Sequence, residues 1–153
     1  PDPAGSFTTA AAMVACAEKT LKEKFKTELN GKKIVIYGGK GIVGGISAVM
    51  CSQFGSTCKI VGYDGIQNVK KKAEEYKNRF NVDVIPVDGS TDELNSSHLP
   101  DAQIIFCAAR AGTQVLSKDQ FDAVCASSIF FYTQFGYSDI KKFLIENKIN
   151  VRP

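Results

Sequence analysis

The run Gly39-Lys40-Gly41-Ile42-Val43-Gly44 holds no acid and no nucleophile beyond one lysine, yet its spacing can do chemistry. Glycines at these intervals let a backbone turn sharply and let an anion approach main-chain amides with no Cβ in the way. In such a run Gly39 permits the tight turn, Gly41 admits a pyrophosphate, and Gly44 lets a helix pack closely on the preceding strand. Gly38 adds a further small residue at the mouth of the turn. The pattern G-x-G-x-x-G recurs by chance, and it points to a dinucleotide only between a buried strand and a helix. Both are predicted here: Lys33-Ile34-Val35-Ile36-Tyr37 is short, apolar and β-branched, and Ile42 to Phe54 has helical character. The plain alternative is a structural turn that binds nothing.

Two further stretches belong to the same reading. A second predicted strand ends in Val61-Gly62-Tyr63-Asp64, and Asp64 lies twenty residues beyond Gly44. An acid at that distance accepts hydrogen bonds from the adenosine ribose hydroxyls and repels a 2′-phosphate, which favours NAD over NADP. Its bland alternative is a cap on the turn into the next helix. Lys70, Lys71 and Lys72 work against the NAD preference, since one of them could reach a 2′-phosphate. The other stretch is Phe106-Cys107-Ala108-Ala109-Arg110-Ala111-Gly112, which follows a later strand. In a doubly wound sheet this loop lies across the crevice from the glycine turn. Ala108 and Ala109 leave room for a nicotinamide ribose, and Arg110 could meet a phosphate or a substrate acid, or be a plain surface residue. Val87, Asp88 and Ser90 close a third strand and are placed to flank the adenine, though such residues also form ordinary turns.

Other chemistry finds little support. His98 stands in a Ser/Asn-rich loop with no second ligand near it in sequence, so it reads as a solvated loop residue and no metal site follows. No G-x-S-x-G elbow or nucleophile–base pair is recognisable, and no residue is assigned a catalytic role. The aromatics Phe130, Phe131, Tyr132, Phe135 and Tyr137 read as packing surface. Without a basic groove they do not make a base-stacking platform, so nucleic acid is not expected.

These residues need elements to hold them in place. Asp2 to Ser6 reads as a turn, with Ser6 as N-cap of a helix from about Thr8 to Glu28. Its apolar stripe is Phe7, Ala10, Ala11, Val14, Ala17, Leu21 and Phe25, and Asn30-Gly31 supplies the C-cap signal. Strands follow at 33–37, 58–62, 82–87, 103–108 and 128–132, with helices at 42–54, 66–80, 117–125 and 138–146. The inner stripe of the helix at 66–80 is Val69, Ala73, Tyr76 and Phe80. Alternation at this spacing predicts an α/β domain with a doubly wound, mainly parallel sheet and helices on both faces. Right-handed crossovers give strand order 3-2-1-4-5, with a ligand crevice at the carboxyl ends of strands one and four. The expected division is a leading turn and helix over 1–30 and a dinucleotide-binding domain over 31–153.

Bulk properties agree with a globular fold. The chain has 153 residues, 44% hydrophobic and 23% charged, which suits one domain with a real core. A net charge of +3 calls for neither nucleic acid nor a membrane surface, and no apolar run is long enough to span a bilayer. Five cysteines without a C-x-x-C pair, lying in apolar or helical stretches, read as reduced thiols of a cytoplasmic protein.

Taken in order, several stretches resemble the NAD(P)-dependent methylene-tetrahydromethanopterin dehydrogenases. They are Asp2 to Ala12, Gly38 to Gly44, Val61-Gly62-Tyr63-Asp64-Gly65, Asp88-Gly89-Ser90-Thr91-Asp92 and Phe106 to Gly112, so the match covers roughly Pro1 to Cys125. The resemblance implies an enzyme of one-carbon metabolism. It would oxidise a methylene-tetrahydromethanopterin, or the related folate, to the methenyl form by passing a hydride to NAD+ or NADP+. Such a step needs no metal, because the pterin nitrogens push the hydride out and the protein holds donor and acceptor in contact. Family members also carry an N-terminal domain that forms the pterin cleft. Nothing precedes Pro1 here, so the expectation is a cofactor domain that is inactive by itself and whose exposed apolar surface could drive association of copies. The segment from Ser128 to Pro153 does not align with the family. Other readings are the cofactor domain of a shikimate- or amino-acid-type dehydrogenase, and a nucleotide-sensing module that never catalyses.

Overall fold

A computed structural model describes Asp2, residues 5–110, and positions 115, 116, 138, 142, 145 and 146. The chain divides into two compact units, Pro1–Arg110 and Ala111–Pro153, and the architecture below is that of the first. Its elements run α1 (Ser6–Thr20), a π-helical turn (Leu21–Phe25), β1 (Lys33–Tyr37), α2 (Ile42–Gln53), β2 (Thr57–Gly62), α3 (Ile66–Phe80), β3 (Ile85–Asp88), α4 (Asp92–Ser97) and β4 (Ile104–Cys107).

Four parallel strands form one sheet in the order β3-β2-β1-β4. Strand β1 is inside the sheet, and Ile34, Val35, Ile36 and Tyr37 are all buried, so both of its faces are covered. That explains why its sequence is a continuous apolar run rather than an alternation. Register brings the carboxyl ends into line: Tyr37 pairs with Val61 on one side and Cys107 on the other, and Gly62 pairs with Asp88. The sheet grows from β1 through β2 to β3 in one direction, then returns to add β4 on the opposite side of β1. The reversal therefore falls between β1 and β4, where a parallel sheet opens a crevice at its carboxyl edge.

Helices α2 and α3 are the crossovers that close the core, contributing Ala48, Cys51, Val69, Ala73 and Tyr76 against Ile34, Ile36 and Ile60. Helix α1 packs along α2 through Ala10 and Val14. Its Glu18 carboxylate accepts the Leu29 amide at 2.8 Å, and the Ser56 hydroxyl donates to the Leu29 carbonyl at 2.7 Å. These bonds tie the segment before β1 to both helix and sheet. Cys16, Cys51, Cys58 and Cys107 are free thiols.

The architecture and the first four strands follow the sequence expectations, and four local readings are corrected. Ser6 is the first residue of α1, not its cap; Gly5 is the N-cap in a left-handed conformation (φ 67°), which folds the chain back. Asp2 then accepts the amides of Phe7 and Thr8 at 2.7 and 3.0 Å, and these bonds hold its carboxyl below the usual range. The first helix stops at Lys26, which takes a left-handed φ of 52°, while Gly31 donates to Gly55 O in the turn that leads into β1. Phe7, Phe25 and Phe80 are exposed rather than inward, Phe80 lying 5.2 Å from the Arg79 guanidinium. The stretch expected to lack pattern forms α4, capped by the Thr91 hydroxyl on the Leu94 amide. The predicted helix at 117–125 and strand at 128–132, with its aromatics, lie outside the described residues. Of the last helix, Ser138, Lys142, Ile145 and Glu146 are helical.

Because Ile36 is wholly buried in β1, truncation to alanine leaves a cavity that the sheet cannot close. Urea denaturation of Ile36→Ala is expected to show a loss of about 2–5 kcal/mol with an unchanged m-value.

Candidate functional site

The glycine turn leaves β1 and enters α2 at the sheet's reversal point. Gly38 has a φ of 78°, and a Cβ there would run into the Ala108 carbonyl. At Gly39 a Cβ would sit 2.6 Å from Ile60 Cγ2, and at Gly44 it would sit 2.8 Å from the Gly38 carbonyl carbon. Gly45, outside the six-residue motif, is closed by the Tyr76 hydroxyl. Backbone thus stands against a Cβ at Gly38 and Gly44, and the side chains of Ile60 and Tyr76 stand against one at Gly39 and Gly45.

Gly41 differs. Its φ of −74° and ψ of 169° suit any residue, and an added Cβ would meet just the Gly38 carbonyl oxygen, at 3.2 Å. It is the N-cap of α2, yet no side chain caps that helix. Serine or aspartate would do better at a cap whose sole task was to finish a helix. Gly41, exposed Ile42 and half-buried Val43 instead present the positive end of the helix dipole to the crevice. This is a cradle that a side chain would fill, and its donors suit an anion. The residues present thus fit the pyrophosphate of a dinucleotide.

Tyr76 of α3 holds the turn from behind. Its hydroxyl donates to the Gly39 carbonyl at 2.9 Å, and burial pushes its pKa up to about 12. In front, the Ala108 amide donates to the Tyr37 carbonyl at 2.9 Å, joining the end of β4 to the start of the turn. Ala108 and Ala109, just after β4, are half-buried, and Arg110 is exposed.

At the end of β2 the arrangement is less simple than the sequence suggests. Lys40 crosses from the turn to form an ion pair with Asp64, and its ammonium lies 4.7 Å from the centre of the Tyr63 ring. The second Asp64 oxygen accepts from Asn68 Nδ2 at 2.9 Å. The Lys40 hydrogen bond above all, with that of Asn68, holds the carboxyl below its usual range. Asp64 does not cap α3, whose N-cap is Gly65.

Lys72, by contrast, is engaged with Glu75 at 2.6 Å. Asp88 accepts the Ser90 amide at 2.9 Å, and Gly89 donates to Gly62 O, so the end of β3 sits beside that of β2. His98 is half-buried, with Nε2 2.7 Å from the Asp88 carbonyl, which replaces the solvated-loop reading. Lys40, Tyr76 and Gly45 are the site residues that sequence reasoning missed. A lysine inside G-x-G and a fourth glycine after the motif were the signals present. Among the described residues no group of acids, histidines and cysteines could hold a metal, and no helix is long and apolar enough to cross a membrane.

A parallel sheet with its glycine turn at the reversal point is the architecture of the Rossmann-type dehydrogenases. An L-alanine dehydrogenase structure shares it, with a TM-score of 0.51 and 18% identity over 65% of this chain and 28% of that one. An L-tryptophan dehydrogenase from Nostoc punctiforme gives a TM-score of 0.49 and 20% identity over 68% of this chain and 27% of that one. No protein-family model matches. The NAD(P)-dependent methylenetetrahydromethanopterin dehydrogenase of Methylorubrum extorquens AM1 is 43% identical over 122 residues, 80% of this chain and 41% of that protein. The chain belongs to that dehydrogenase family and spans about two fifths of the length of this relative.

Two measurements check the support behind the turn. Gly45→Ala is expected to cost about 1–3 kcal/mol by overpacking, and less in a Tyr76→Phe background, because the obstructing hydroxyl is gone. Burial keeps Tyr76 protonated in the native state at a pH where the unfolded chain, at its ordinary 10.0, has lost the proton. Its contribution is thus complete below pH 10 and falls away between 10 and about 12. Tyr76→Phe should lose about 1 kcal/mol at neutral pH and show a shallower alkaline decline in melting temperature.

Proposed function

We infer that this chain is the NAD(P)-binding part of a dehydrogenase that takes a hydride from the methylene carbon of a reduced pterin. The observation that carries this reading is Gly41, an exposed glycine at the amino end of α2 whose backbone conformation asks for no glycine and whose added Cβ would meet just the Gly38 carbonyl oxygen, at 3.2 Å. The amides of Ile42 and Val43 would hold the pyrophosphate, with Gly38, Gly39 and Gly44 shaping the turn that aims them. Asp64, ionised at neutral pH, would accept from the adenosine ribose hydroxyls and give a modest preference for NAD over NADP. Ala108 and Ala109 would leave room for the nicotinamide ribose, and Arg110 would face a phosphate or the substrate.

When bound, the nicotinamide supplies the hydride acceptor. The chain's own part is positional: it orients the ring, keeps water from the acceptor face and needs no acid or base, because the methylene carbon's nitrogen neighbours stabilise the cation left behind. Tetrahydromethanopterin is the first choice of carrier, in keeping with the name of the Methylorubrum relative, and tetrahydrofolate the second. The free thiols are in keeping with a reducing cytoplasm.

Calorimetric titration tests the cofactor site. Both NAD+ and NADP+ should bind, with NAD+ the tighter. Gly41→Ala should weaken both by about tenfold or more while its melting temperature stays close to that of the parent. If the parent binds neither, or Gly41→Ala binds as well as the parent, the reading fails. For the substrate, the 122 matched residues can be exchanged into the Methylorubrum enzyme. A folded chimera that binds NAD+ and oxidises methylene-tetrahydromethanopterin supports the assignment, and one that binds NAD+ without turnover counts against it.

A further inference from the structure

An acid at the end of β2 excludes a 2′-phosphate when its charge stands alone, and here it does not. Lys40 leaves the glycine turn between Gly39 and Gly41, spans to the end of β2 and sets its ammonium on one oxygen of Asp64. Asn68 of α3 donates to the other oxygen at 2.9 Å. The ammonium also lies 4.7 Å from the Tyr63 ring centre, and Tyr63 is 73% exposed, so the ring is a lateral support open to the crevice. Side-chain exposures of 21% for Lys40 and 32% for Asp64 leave the pair partly wet and able to exchange partners. A lysine on a four-carbon stem can move its charge by several ångströms without a backbone change, and three rotatable donors can serve a carboxylate and a phosphate together.

We propose that Lys40 is a specificity-determining residue of this site, cancelling the Asp64 charge in the free protein and turning its ammonium to the 2′-phosphate of an NADP-type ligand. The proposal rests on the reading of the glycine turn as a dinucleotide site. It deepens that reading by explaining how one acid can favour NAD without excluding NADP. With a ribose 2′-hydroxyl the pair stays in place, and the hydroxyl donates to a free lone pair of the carboxylate. With a 2′-phosphate the ammonium bridges the two anions, while Asn68 keeps its hold on Asp64. The lysines of α3 are poorer sources of this charge. Lys72 is occupied by Glu75, and neither Lys70 nor Lys71 pairs with Asp64.

The test is calorimetric titration of the whole chain with NAD+, NADP+ and the half-ligands 5′-AMP and 2′,5′-ADP. The parent should bind NADP+ within about tenfold of NAD+. A charge-assisted hydrogen bond predicts that Lys40→Met weakens NADP+ and 2′,5′-ADP by about tenfold or more, with NAD+ and 5′-AMP changed by less than about threefold. Lys40→Arg should restore NADP+ binding, and Asp64→Asn should shift the ratio towards NADP+. Equal losses for both cofactors in Lys40→Met would make Lys40 a pyrophosphate or turn residue and overturn the proposal. No change in either ligand would do the same. If the parent binds neither cofactor, the dinucleotide reading fails and this proposal with it, whereas selective failure of the Lys40 variants leaves that reading intact.

Discussion

Gly38 meets the Ala108 carbonyl so closely that just a hydrogen fits between them, and most of the site follows from that contact. It can form because β1 and β4 are neighbours in register, with Tyr37 opposite Cys107 and the Ala108 amide bonded to the Tyr37 carbonyl. Once the two strand ends are joined, the chain leaving β1 must turn away at once. The left-handed conformation of Gly38 makes the turn, and Gly44 lets α2 come back over it. The amino end of α2 is then aimed at the gap between the strand ends, where its amides can serve an anion.

Around this contact the protein places supports of different kinds. Behind the turn stands Tyr76, whose buried hydroxyl satisfies the Gly39 carbonyl and whose bulk forbids a side chain at Gly45. The turn is thus rigid on the side away from the crevice. To its flank, the Lys40–Asp64–Asn68 cluster is partly exposed and ionic, so it can rearrange at low cost. In the proposed dinucleotide site, a rigid turn beside an adaptable ionic cluster would bind the part common to both nicotinamide cofactors firmly. Discrimination between them would then fall to a single movable charge.

Much of the fold was legible in the residues. A continuous apolar run at 34–37 announced a strand buried on both faces, and the helix-period stripe of Val69, Ala73 and Tyr76 announced the inner side of α3. The misreadings share a cause. Ser6 looked like a cap because its type favours one, but a left-handed Gly5 let the more distant Asp2 take the role. Phe80 continued the stripe in period, yet α3 ends there and a terminal residue has no sheet beneath it. Helix α4 was obscured because five of its six residues are polar and it owes its form to the Thr91 cap rather than to an apolar face. Periodicity reports burial over several turns, and it says little about ends and short elements.

Local order along the chain was enough to establish the alternation of strands and helices, the glycine turn between β1 and α2, and the family. The first two rest on residues within a few positions of one another, whose period and backbone demands act through near neighbours, and the family resemblance rests on the order of several such stretches from Pro1 to Cys125. The pairing of Lys40 with Asp64 across 24 residues, and of Tyr76 with Gly39 across 37, came from the folded molecule. Both depend on strand order and register, which bring distant residues to one edge of the sheet. So does the distinction among the glycines. The motif assigns Gly41 and Gly44 different tasks in sequence, and the packed surroundings give the physical difference: backbone blocks a Cβ at Gly44, whereas at Gly41 an added Cβ would meet just the Gly38 carbonyl oxygen, at 3.2 Å.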